Sequence, residues 1–478
     1  MKTIKVLALI LGLGVFISCE DQLNVVPEDN VASNTVFGSL ATINGAAVGV
    51  YSLNQSGDLN GNPQLMGDFM ADDVNFVGSF PSLQEIDQFE TLATNASIDN
   101  IWFDGYQLIG AANNVIVNLP EVSVDDVTGL TEATKAQLVA ECKFLRALTY
   151  FTMVNVFAQP FQFSGGSNLG VPIVTQPFAG GDITEFQLER STVNEVHAFI
   201  EQDLLDAIAV LPEDNGVRAE AGSARALLAR LYLYREQFND AANFANQVIT
   251  SGEYSLVDNY NSFYNDGETS AENIFVAVNT PSDGPQEETG SDEVYVTFYN
   301  PAPGGRGDAP FSADLLADFG FAVGDTITDD RRFDDLSQPA TDAGGNATFF
   351  TLKYPDVVNN ASNGPILRIT EMYLIRAEAN LRGGLSVGPN TPLADINLLR
   401  TRAGLPDLLS VDLDGILTER RKELCFEGHR RMDLLRNNRN LRPGGGAVSA
   451  PGANKVIFPI VDNEIVNNPN ITQNPGNF

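Results

Sequence analysis

The sequence predicts a mainly α-helical protein in which tetratricopeptide-like helix pairs carry a large, irregular, loop-rich surface with little β structure. Three observations predict this class. Apolar residues recur at intervals of three and four over long segments, and one segment places small residues where the two helices of a repeat approach each other. Two further long segments follow neither the helical nor the strand period. The 478 residues are sufficient for a large hydrophobic core.

The N-terminus predicts a cleaved export signal. Basic residues precede the apolar run 6–17, which is too short to cross a bilayer as a helix. The sequence Phe-Ile-Ser-Cys that follows is similar to a bacterial lipobox. We therefore expect residues 1–18 to be a lipoprotein signal peptide and Cys19 to carry the lipid anchor, palmitate included. The alternative is an ordinary secreted protein in which this cysteine is incidental.

The residues after Cys19 are acidic and polar. Glu20 and Asp21 resemble the acidic export signal of surface lipoproteins, which implies an outer-membrane protein that faces the cell exterior. The polar, proline-containing segment 19–31 suits an extended tether between the lipid and the folded body. We therefore expect the folded domain to begin near residue 32.

Composition excludes several classes of partner. The chain has 28 Lys and Arg against 62 Asp and Glu, a formal net charge of −34. Such a charge repels nucleic acid and anionic lipid and favours neutral or cationic ligands. Apart from Cys19, the only cysteines are Cys142 and Cys425, both among helix-like apolar neighbours, where a lone cysteine is usually a small buried hydrophobe. We expect no disulfide framework.

Apolar spacing locates the helices. Thr134–Phe157 has the most regular spacing, and Pro160 ends it. Thr192 begins another helix, with Glu195 three residues later as its capping-box partner. The predicted helical frame occupies residues of about 32–53, 101–158, 191–255 and 366–440.

One segment carries a clear repeat signature. Gly222–Tyr254 places Ala229, Tyr232 and Ala241 at the positions that tetratricopeptide repeats keep small or aromatic. Leu374–Arg402 is a looser second copy. Small residues at these positions allow two antiparallel helices to pack closely, so each segment predicts a helix pair.

Two long segments, 54–100 and 279–365, lack either period and are rich in Gly, Asn, Asp, Pro and Phe. Loops of this length inside a compact domain are usually functional or disordered. Their high content of Phe and Tyr argues against disorder. We therefore expect an ordered, irregular layer on the helical frame, and we expect the ligand to bind there.

Several stretches together resemble the SusD/RagB family of outer-membrane nutrient-binding lipoproteins. They occur in the family's order over nearly the whole mature chain: AECKFLRALTYFTMVNVFAQPF, STVNEVHAFIEQDLLDAIAVLP, SARALLARLYLYREQFNDAANFANQVITSGEYSL, ILRITEMYLIRAEAN, INLLRTRAGLP, ILTERRKELCFEGHRRMDLLR and NPNITQNPGNF. The resemblance implies a single SusD-like domain over 32–478, with four tetratricopeptide-like units in an α–α superhelix. It also implies docking on a SusC-like, TonB-dependent transporter, with a glycan or, in some relatives, a peptide as ligand.

The resemblance places ligand-binding groups on the loops 72–90 and 279–311. A carbohydrate site needs aromatic rings beside amides, carboxylates or guanidinium groups. The candidates that meet this description are Asp73, Asn75, Phe76 and Phe89 in the first loop and Tyr295, Tyr299 and Arg306 in the second. Starch-binding members of the family present a tryptophan near the position that corresponds to Arg306, so this chain departs from them there. Trp102, the only tryptophan, fits a packing position better than a sugar platform.

Signals for catalysis or metal binding are weak. The two histidines, His197 and His429, lack metal-ligand spacing, and no carboxylate pair stands out among 62 acids. We expect no cofactor, although the acidic stretches at Asp58 and Asp329 could hold a structural calcium ion. In the charged stretch TERRKELCFEGHRRMDLLR, the residues Glu419, Glu423 and Arg430 are expected to pair at helical spacing and to act structurally.

These observations predict a cell-surface lipoprotein that binds oligosaccharide or polysaccharide without cleaving it and delivers it to a SusC-like transporter. Three alternatives remain open: a relative that captures peptide or another nutrient, a surface glycan hydrolase with a carboxylate pair beside the sugar, and a purely structural protein. The negative charge favours a neutral glucan or fructan over an acidic polymer, unless a basic patch surrounds Arg306.

Overall fold

The structure is a computed structural model. It describes residues 36–178, 180, 182–265, 270–279, 291–321, 328–359 and 361–476. The predicted signal peptide, the lipidation residue Cys19 and the tether lie outside these residues. Within them, no helix is both long and apolar enough to cross a membrane.

The first nine helices lie before residue 266. They are α1 Leu40–Asn54, α2 Asn62–Met70, α3 Pro81–Asp87, α4 Ala96–Asn118, α5 Glu132–Phe157, α6 Val193–Ile208, α7 Ala221–Tyr234, α8 Phe238–Thr250 and α9 Tyr260–Asn265. The later helices are α10 Ser291–Tyr299, α11 Ala313–Asp318, α12 Arg331–Asp334, α13 Ile369–Gly383, α14 Pro392–Arg402, α15 Leu413–Leu424, α16 Arg430–Arg436 and α17 Asp462–Asn467.

The long helices pack in succession into a superhelical frame. α1 packs on α4, and each of α4 to α7 packs on the helix that follows it; α8 then packs on α13, and α13 contacts α14 and α15. Small residues at the helix crossings, such as Ala229 and Ala241, are fully buried. The helix pairs α7–α8 and α13–α14 occupy the two predicted repeats, so the predicted mainly α, repeat-based fold is confirmed.

Local signals set the helix boundaries. The Thr192 hydroxyl accepts a hydrogen bond from the Glu195 backbone N–H at 3.2 Å, and a Glu195 carboxylate oxygen accepts one from the Thr192 backbone N–H at 2.7 Å. This reciprocal pair is the predicted capping box. At the repeat, a Cβ on Gly222 would lie 2.2 Å from the Tyr254 hydroxyl, so only glycine allows this close approach.

Strands are few and short in the described residues. β1 (Asn273–Ala277) pairs antiparallel with β4 (Gly364–Arg368), and β2 (Ser337–Thr341) pairs antiparallel with β3 (Ala347–Thr351). The two segments expected to be irregular also contain the short helices α2 and α3, and α10, α11 and α12, respectively. These short elements form the layer on which the candidate site lies.

A set of buried, paired charges joins the C-terminal helices to the frame; we call it the buried ionic frame. Each member is an arginine bound to one or more buried carboxylates: Arg230–Glu371, Arg332–Asp330, Arg368–Glu427, Arg376–Asp395, Arg420–Asp433, and Arg436 with Glu378 and Asp433. Pairing compensates for the loss of hydration that a buried charge suffers.

The pairs formed by the charged stretch differ from the expected ones. Glu419 contacts Arg332 at 2.7 Å, Glu423 contacts Arg402 at 2.9 Å, and Arg430 binds Asp72 through two hydrogen bonds. The expectation of pairing at helical spacing was therefore wrong. Because α15 and α16 lie in the interior, these side chains reach distant elements rather than solvent-facing neighbours on their own helix.

Candidate functional site: the Phe80–Phe298 pocket

The two loops predicted to carry the ligand site meet in space. The Asn75 backbone N–H donates to the Pro310 carbonyl oxygen at 3.0 Å, and the Val77 N–H donates to the Asp308 carbonyl oxygen at 2.9 Å. Val74 and Phe311 form an isolated antiparallel bridge beside these bonds. The segments after α2 and after α10 therefore form one continuous surface, held by backbone hydrogen bonds.

Asp73, predicted as a ligand contact, lies in the interior instead. Its side chain is 1% exposed, and the Arg421 guanidinium donates to it at 2.7 Å. Burial raises the pKa of Asp73, and the charges of Arg421 and Arg430 oppose that shift. The carboxylate attaches the first loop to α15 and α16, so the predicted ligand contact is replaced by a structural one.

Tyr295 and Tyr299 are also core residues, with 1% and 0% of their surface exposed. Both stack on Tyr354, with ring centroids 4.5 and 5.4 Å away, and the Tyr299 hydroxyl donates to Asp68 at 2.6 Å. Burial, together with the charge of Asp68, raises the pKa of Tyr299 well above its usual value. A fully buried ring cannot serve as a sugar platform, so the prediction was wrong for both tyrosines.

Of the other three candidates in the first loop, one is buried, one is half-buried and one is exposed. Phe89 is 6% exposed and lies under the Arg442 guanidinium, 5.2 Å from its ring centroid, so it is not a ligand contact either. Phe76 is half-buried and packs on Phe69 at 4.5 Å. Asn75 is exposed, and it remains a candidate at the edge of the surface.

Arg306, predicted as a ligand contact in the second loop, lines an open pocket of about 330 Å³. We call this the Phe80–Phe298 pocket. The guanidinium carbon of Arg306 lies 5.8 Å from the Phe80 ring centroid and 5.6 Å from the Phe298 ring centroid. The two rings meet edge to face at 6.3 Å. The other lining residues are Asn62, Ser82, Leu83, Ala96, Ser97, Asn100 and Thr297.

A buried carboxylate fixes the position of Arg306. Arg306 Nε donates to Asp308 at 2.6 Å, and the Asp308 side chain is 4% exposed. Gly78 makes this arrangement possible, because a Cβ there would lie 2.6 Å from the Asp308 carboxyl carbon. The first and third residues of the sequence Arg306-Gly307-Asp308 thus form an ion pair with each other, and this pair orients the guanidinium beside the two aromatic rings.

The pocket has little net charge. Among the described lining residues, none is acidic, and the one cation, Arg306, is neutralised by Asp308. A basic patch that would favour an acidic polymer is therefore absent from the described lining. Two flat rings beside amides, hydroxyls and one oriented guanidinium match the C–H faces and hydroxyl edges of a neutral sugar.

Sequence reasoning missed Phe298 and Phe80. On α10, Tyr295, Val296 and Tyr299 follow the helical spacing of a buried face, and Phe298 lies on the adjacent face. If this segment had been assigned as a helix, Phe298 would have replaced Tyr295 and Tyr299 among the predicted ligand contacts. Phe80 precedes Pro81, the first residue of α3, and so lies outside the helix with 44% of its surface exposed.

The remaining predicted sites are structural or lack a ligand set. Trp102 is 5% exposed and donates to Glu464 at 3.3 Å, in agreement with a packing role. Burial lowers the pKa values of His197 and His429 to about 3, so both are neutral at physiological pH. The buried Cys142 and Cys425 are free thiols, as expected.

The suggested calcium stretches hold other partners. An oxygen of Asp58 accepts a hydrogen bond from Asn62 at 2.6 Å, and Asp330, next to Asp329, binds Arg332 at 2.6 Å. The structure, in the residues it describes, contains no group of three or more His, Cys, Asp or Glu side chains that could hold a metal ion. A calcium ion therefore stays a prediction without structural support.

Comparison with protein families identifies the chain's relatives. A family profile described as "Starch-binding associating with outer membrane" matches residues 21–233, and one described as "SusD family" matches residues 348–476. Together they cover more than half of the chain. The chain belongs to the SusD/RagB family.

Individual SusD-like relatives are distant in sequence but similar in fold. A SusD-like protein of Formosa agariphila is 24% identical, covering 88% of this chain and 87% of that protein. A SusD superfamily structure from Bacteroides thetaiotaomicron has a TM-score of 0.80 at 24% identity, covering 91% of this chain and all of that one. A laminarin-binding SusD-like protein has a TM-score of 0.74 at 27% identity, covering 92% of this chain and all of that one.

Proposed function

We propose that this SusD-like protein binds a neutral oligosaccharide or polysaccharide at the Phe80–Phe298 pocket. The single observation that carries the proposal is a pair of aromatic rings, the exposed Phe80 and the half-buried Phe298, that lines an open pocket beside uncharged polar groups in a chain whose net charge is −34. Aromatic rings grouped around a concave pocket mark a ligand-binding site, whereas a single exposed ring does not. The starch-binding description of the family and the laminarin-binding neighbour support a glycan as the ligand.

The protein binds this glycan without cleaving it. Glycoside hydrolysis requires two carboxyl groups flanking the scissile bond, about 5 to 10 Å apart. Among the described residues, the pocket lining includes no Asp or Glu, and the nearby Asp308 is paired with Arg306. Incubation of the pure protein with the retained glycan should therefore yield no shorter products on chromatography.

Delivery to a transporter completes the proposed function. Family resemblance supports an outer-membrane lipoprotein, anchored through Cys19 and facing the cell exterior, that passes its glycan to a SusC-like, TonB-dependent transporter. Metabolic labelling with radioactive palmitate tests the anchor: the wild type should be labelled, and a Cys19→Ala variant should not. Labelling of the variant would contradict the assignment of Cys19.

Affinity electrophoresis tests the binding proposal. Gels that contain laminarin, soluble starch, inulin or polygalacturonate should retard the wild-type protein with at least one neutral polysaccharide and not with polygalacturonate. Phe80→Ala should reduce that retention. Phe163→Ala is the matched control, because Phe163 is also exposed (54%) but does not line the pocket. Retention by none of the neutral polysaccharides would contradict the proposal.

A further inference from the structure

A second surface pocket lies on the same long helix as the Phe80–Phe298 pocket. Its volume is about 230 Å³, and Tyr106 of α4 and Glu464 of α17 line it. Phe178 and Phe186 form one wall, with their rings edge to face at 5.5 Å. Phe178 is 59% exposed, so its ring is available to a ligand. We call this the Phe178 pocket.

Hydrogen bonds hold the polar side of the Phe178 pocket in place. The Tyr106 hydroxyl donates to the Pro172 carbonyl oxygen at 2.8 Å. Glu464 accepts hydrogen bonds from Trp102 at 3.3 Å and from Asn468 at 2.7 Å, so its carboxylate is already engaged. The lining thus resembles that of the first pocket in its aromatic rings beside oriented polar groups, and its one described charge, the Glu464 carboxylate, is held by two neutral hydrogen-bond donors.

Helix geometry connects the two pockets. Asn100 lines the Phe80–Phe298 pocket, and Tyr106 lines the Phe178 pocket, about 9 Å further along the α4 axis. At 100° per residue, Phe103 lies between these two residues both along the axis and around it. Phe103 is 66% exposed.

The exposed residues along α4 are uncharged, and the half-buried acids beside them, Asp99 and Asp104, accept hydrogen bonds from Asn463 and Ser56. The exposed residues of this helix are Ala96, Asn100, Phe103 and Gln107. Two amides, an alanine and a phenyl ring follow one another on a protein whose net charge is −34. Because the exposed residues that join the two pockets are uncharged and continue directly from the first pocket, their chemistry fits the same neutral chain rather than a charged protein partner.

We infer that the Phe178 pocket is a second subsite, reached across Phe103, so that one long neutral glycan chain contacts both pockets. The inference rests on the proposed function, since it requires the first pocket to bind the same chain. It implies that the protein binds polymer more tightly than short oligosaccharides, which occupy only one pocket. Phe103 and Phe178 then act as determinants of preferred chain length.

Two variants test the inference with long and short probes. Phe103→Ser and Phe178→Ser are assayed by affinity electrophoresis in laminarin, soluble starch and inulin gels, and by calorimetric titration with the matching trisaccharides. Phe163→Ser is the control for loss of an exposed ring. Melting temperatures should be unchanged because all three side chains are exposed.

We expect Phe103→Ser and Phe178→Ser to weaken polysaccharide retention by about fivefold and to leave trisaccharide binding as in the wild type. Phe80→Ala should weaken both. Wild-type polysaccharide retention by the two variants would overturn the second subsite while leaving the proposed function intact. An equal loss of trisaccharide binding, or loss only of transporter association, would also overturn it. A wild type that no polysaccharide retains would overturn the proposed function first, and the inference with it.

Discussion

In the buried ionic frame, charged side chains lie in the interior and are paired. In the Phe80–Phe298 pocket, by contrast, an exposed and a half-buried aromatic ring line an open cavity among nearly uncharged groups. Arg436 has 2% of its surface exposed and contacts two carboxylates; Phe80 is 44% exposed. Most proteins show the reverse distribution, with apolar groups inside and charges outside. The exceptions therefore mark the residues whose roles are most specific.

The difference separates stability from binding. A buried ion pair fixes how distant elements meet, and loss of one partner leaves a charge without water or a counterion. An exposed ring contributes little to folding, because solvent already covers it. Substitutions in the frame should thus change the free energy of unfolding, and substitutions in the pocket should change ligand affinity alone.

The largest effect is expected from Arg436→Leu. The substitution removes the guanidinium that binds the buried Glu378 at 2.7 Å and the buried Asp433 at 2.8 Å. Asp433 then keeps its contact with Arg420, and Glu378 keeps the longer 3.4 Å contact with Arg382. We expect the free energy of unfolding to fall by about 3 to 5 kcal/mol. Urea denaturation measures this value. Arg439→Leu is the control: its pair with Asp414 is exposed and should contribute less than about 1 kcal/mol. Equal effects would contradict the role of burial.

Acid should destabilise the folded interior before it affects the pocket, because a buried histidine on α6 must become protonated on unfolding. Burial and the charge of Arg235 lower the pKa of His197 to about 3, whereas the unfolded chain binds that proton near pH 6.5. Between these values the unfolded state holds more protons, so stability falls as pH falls, by about 1.4 kcal/mol per pH unit.

The variant His197→Gln isolates the contribution of His197 to the pH dependence of stability. Other groups act equally in both proteins: burial raises the pKa of Glu220 to about 7, for example, so this carboxyl stabilises the fold as pH falls. Urea denaturation at pH 7, 6 and 5 should show a shallower decline for the variant. Glycan retention by the folded wild type should stay constant over this range, since no described lining residue of the pocket titrates there. Parallel pH profiles for the two proteins would contradict the assignment.

Tyr299→Phe sharpens the comparison, because the sequence placed Tyr299 in the ligand site and the structure places it in the core. The variant removes the only hydrogen-bond donor described for the buried Asp68 carboxyl. We expect a loss of about 1 to 3 kcal/mol in unfolding free energy and unchanged glycan retention. Weaker retention by a folded variant would return Tyr299 to the binding site.

Phe80→Ala should have the opposite effect to Tyr299→Phe: weaker glycan binding with unchanged stability. Removing an exposed aromatic platform should weaken glycan affinity by about tenfold, or roughly 1.4 kcal/mol, with an unchanged melting temperature. Thermal denaturation and affinity electrophoresis on the same sample separate the two effects. A fall in melting temperature that matches the loss of affinity would show that Phe80 acts through the fold.

The smallest effect is expected from Gly78→Ala. The new methyl group would press against Asp308 at 2.6 Å and displace the carboxylate that orients Arg306. We expect glycan affinity to fall by about two- to fivefold, or roughly 0.4 to 1 kcal/mol. Gly45→Ala is the matched control: nothing lies within 4 Å of its Cβ, and alanine favours its helix. Similar retention by both variants would contradict the role of the Arg306–Asp308 pair.

The fold was largely predictable from the sequence, since helical spacing and capping act locally. Thr192 with Glu195 and the repeat Gly222–Tyr254 lie where their residue types place them. The bridging of the loops at Val74 and Phe311 was not predictable, because it depends on residues far apart in the chain.

The site was predictable only in part, because burial depends on tertiary packing. Arg306, predicted from its position in the second loop, lines the pocket, and its contact with a ligand stays a prediction. Tyr299 has the composition of a sugar platform, and only the stack with Tyr354 shows that it is buried. Asp73 resembles a ligand-binding acid until Arg421, from a distant helix, is placed beside it.

The most direct test of the central claim is calorimetric titration of the double variant Phe80→Ala/Phe298→Ala with the glycan that the wild type retains. We expect the heat of binding to disappear while circular dichroism shows that the double variant keeps the wild-type helical content. Binding of the double variant with wild-type affinity would contradict the claim that these two rings form the glycan site.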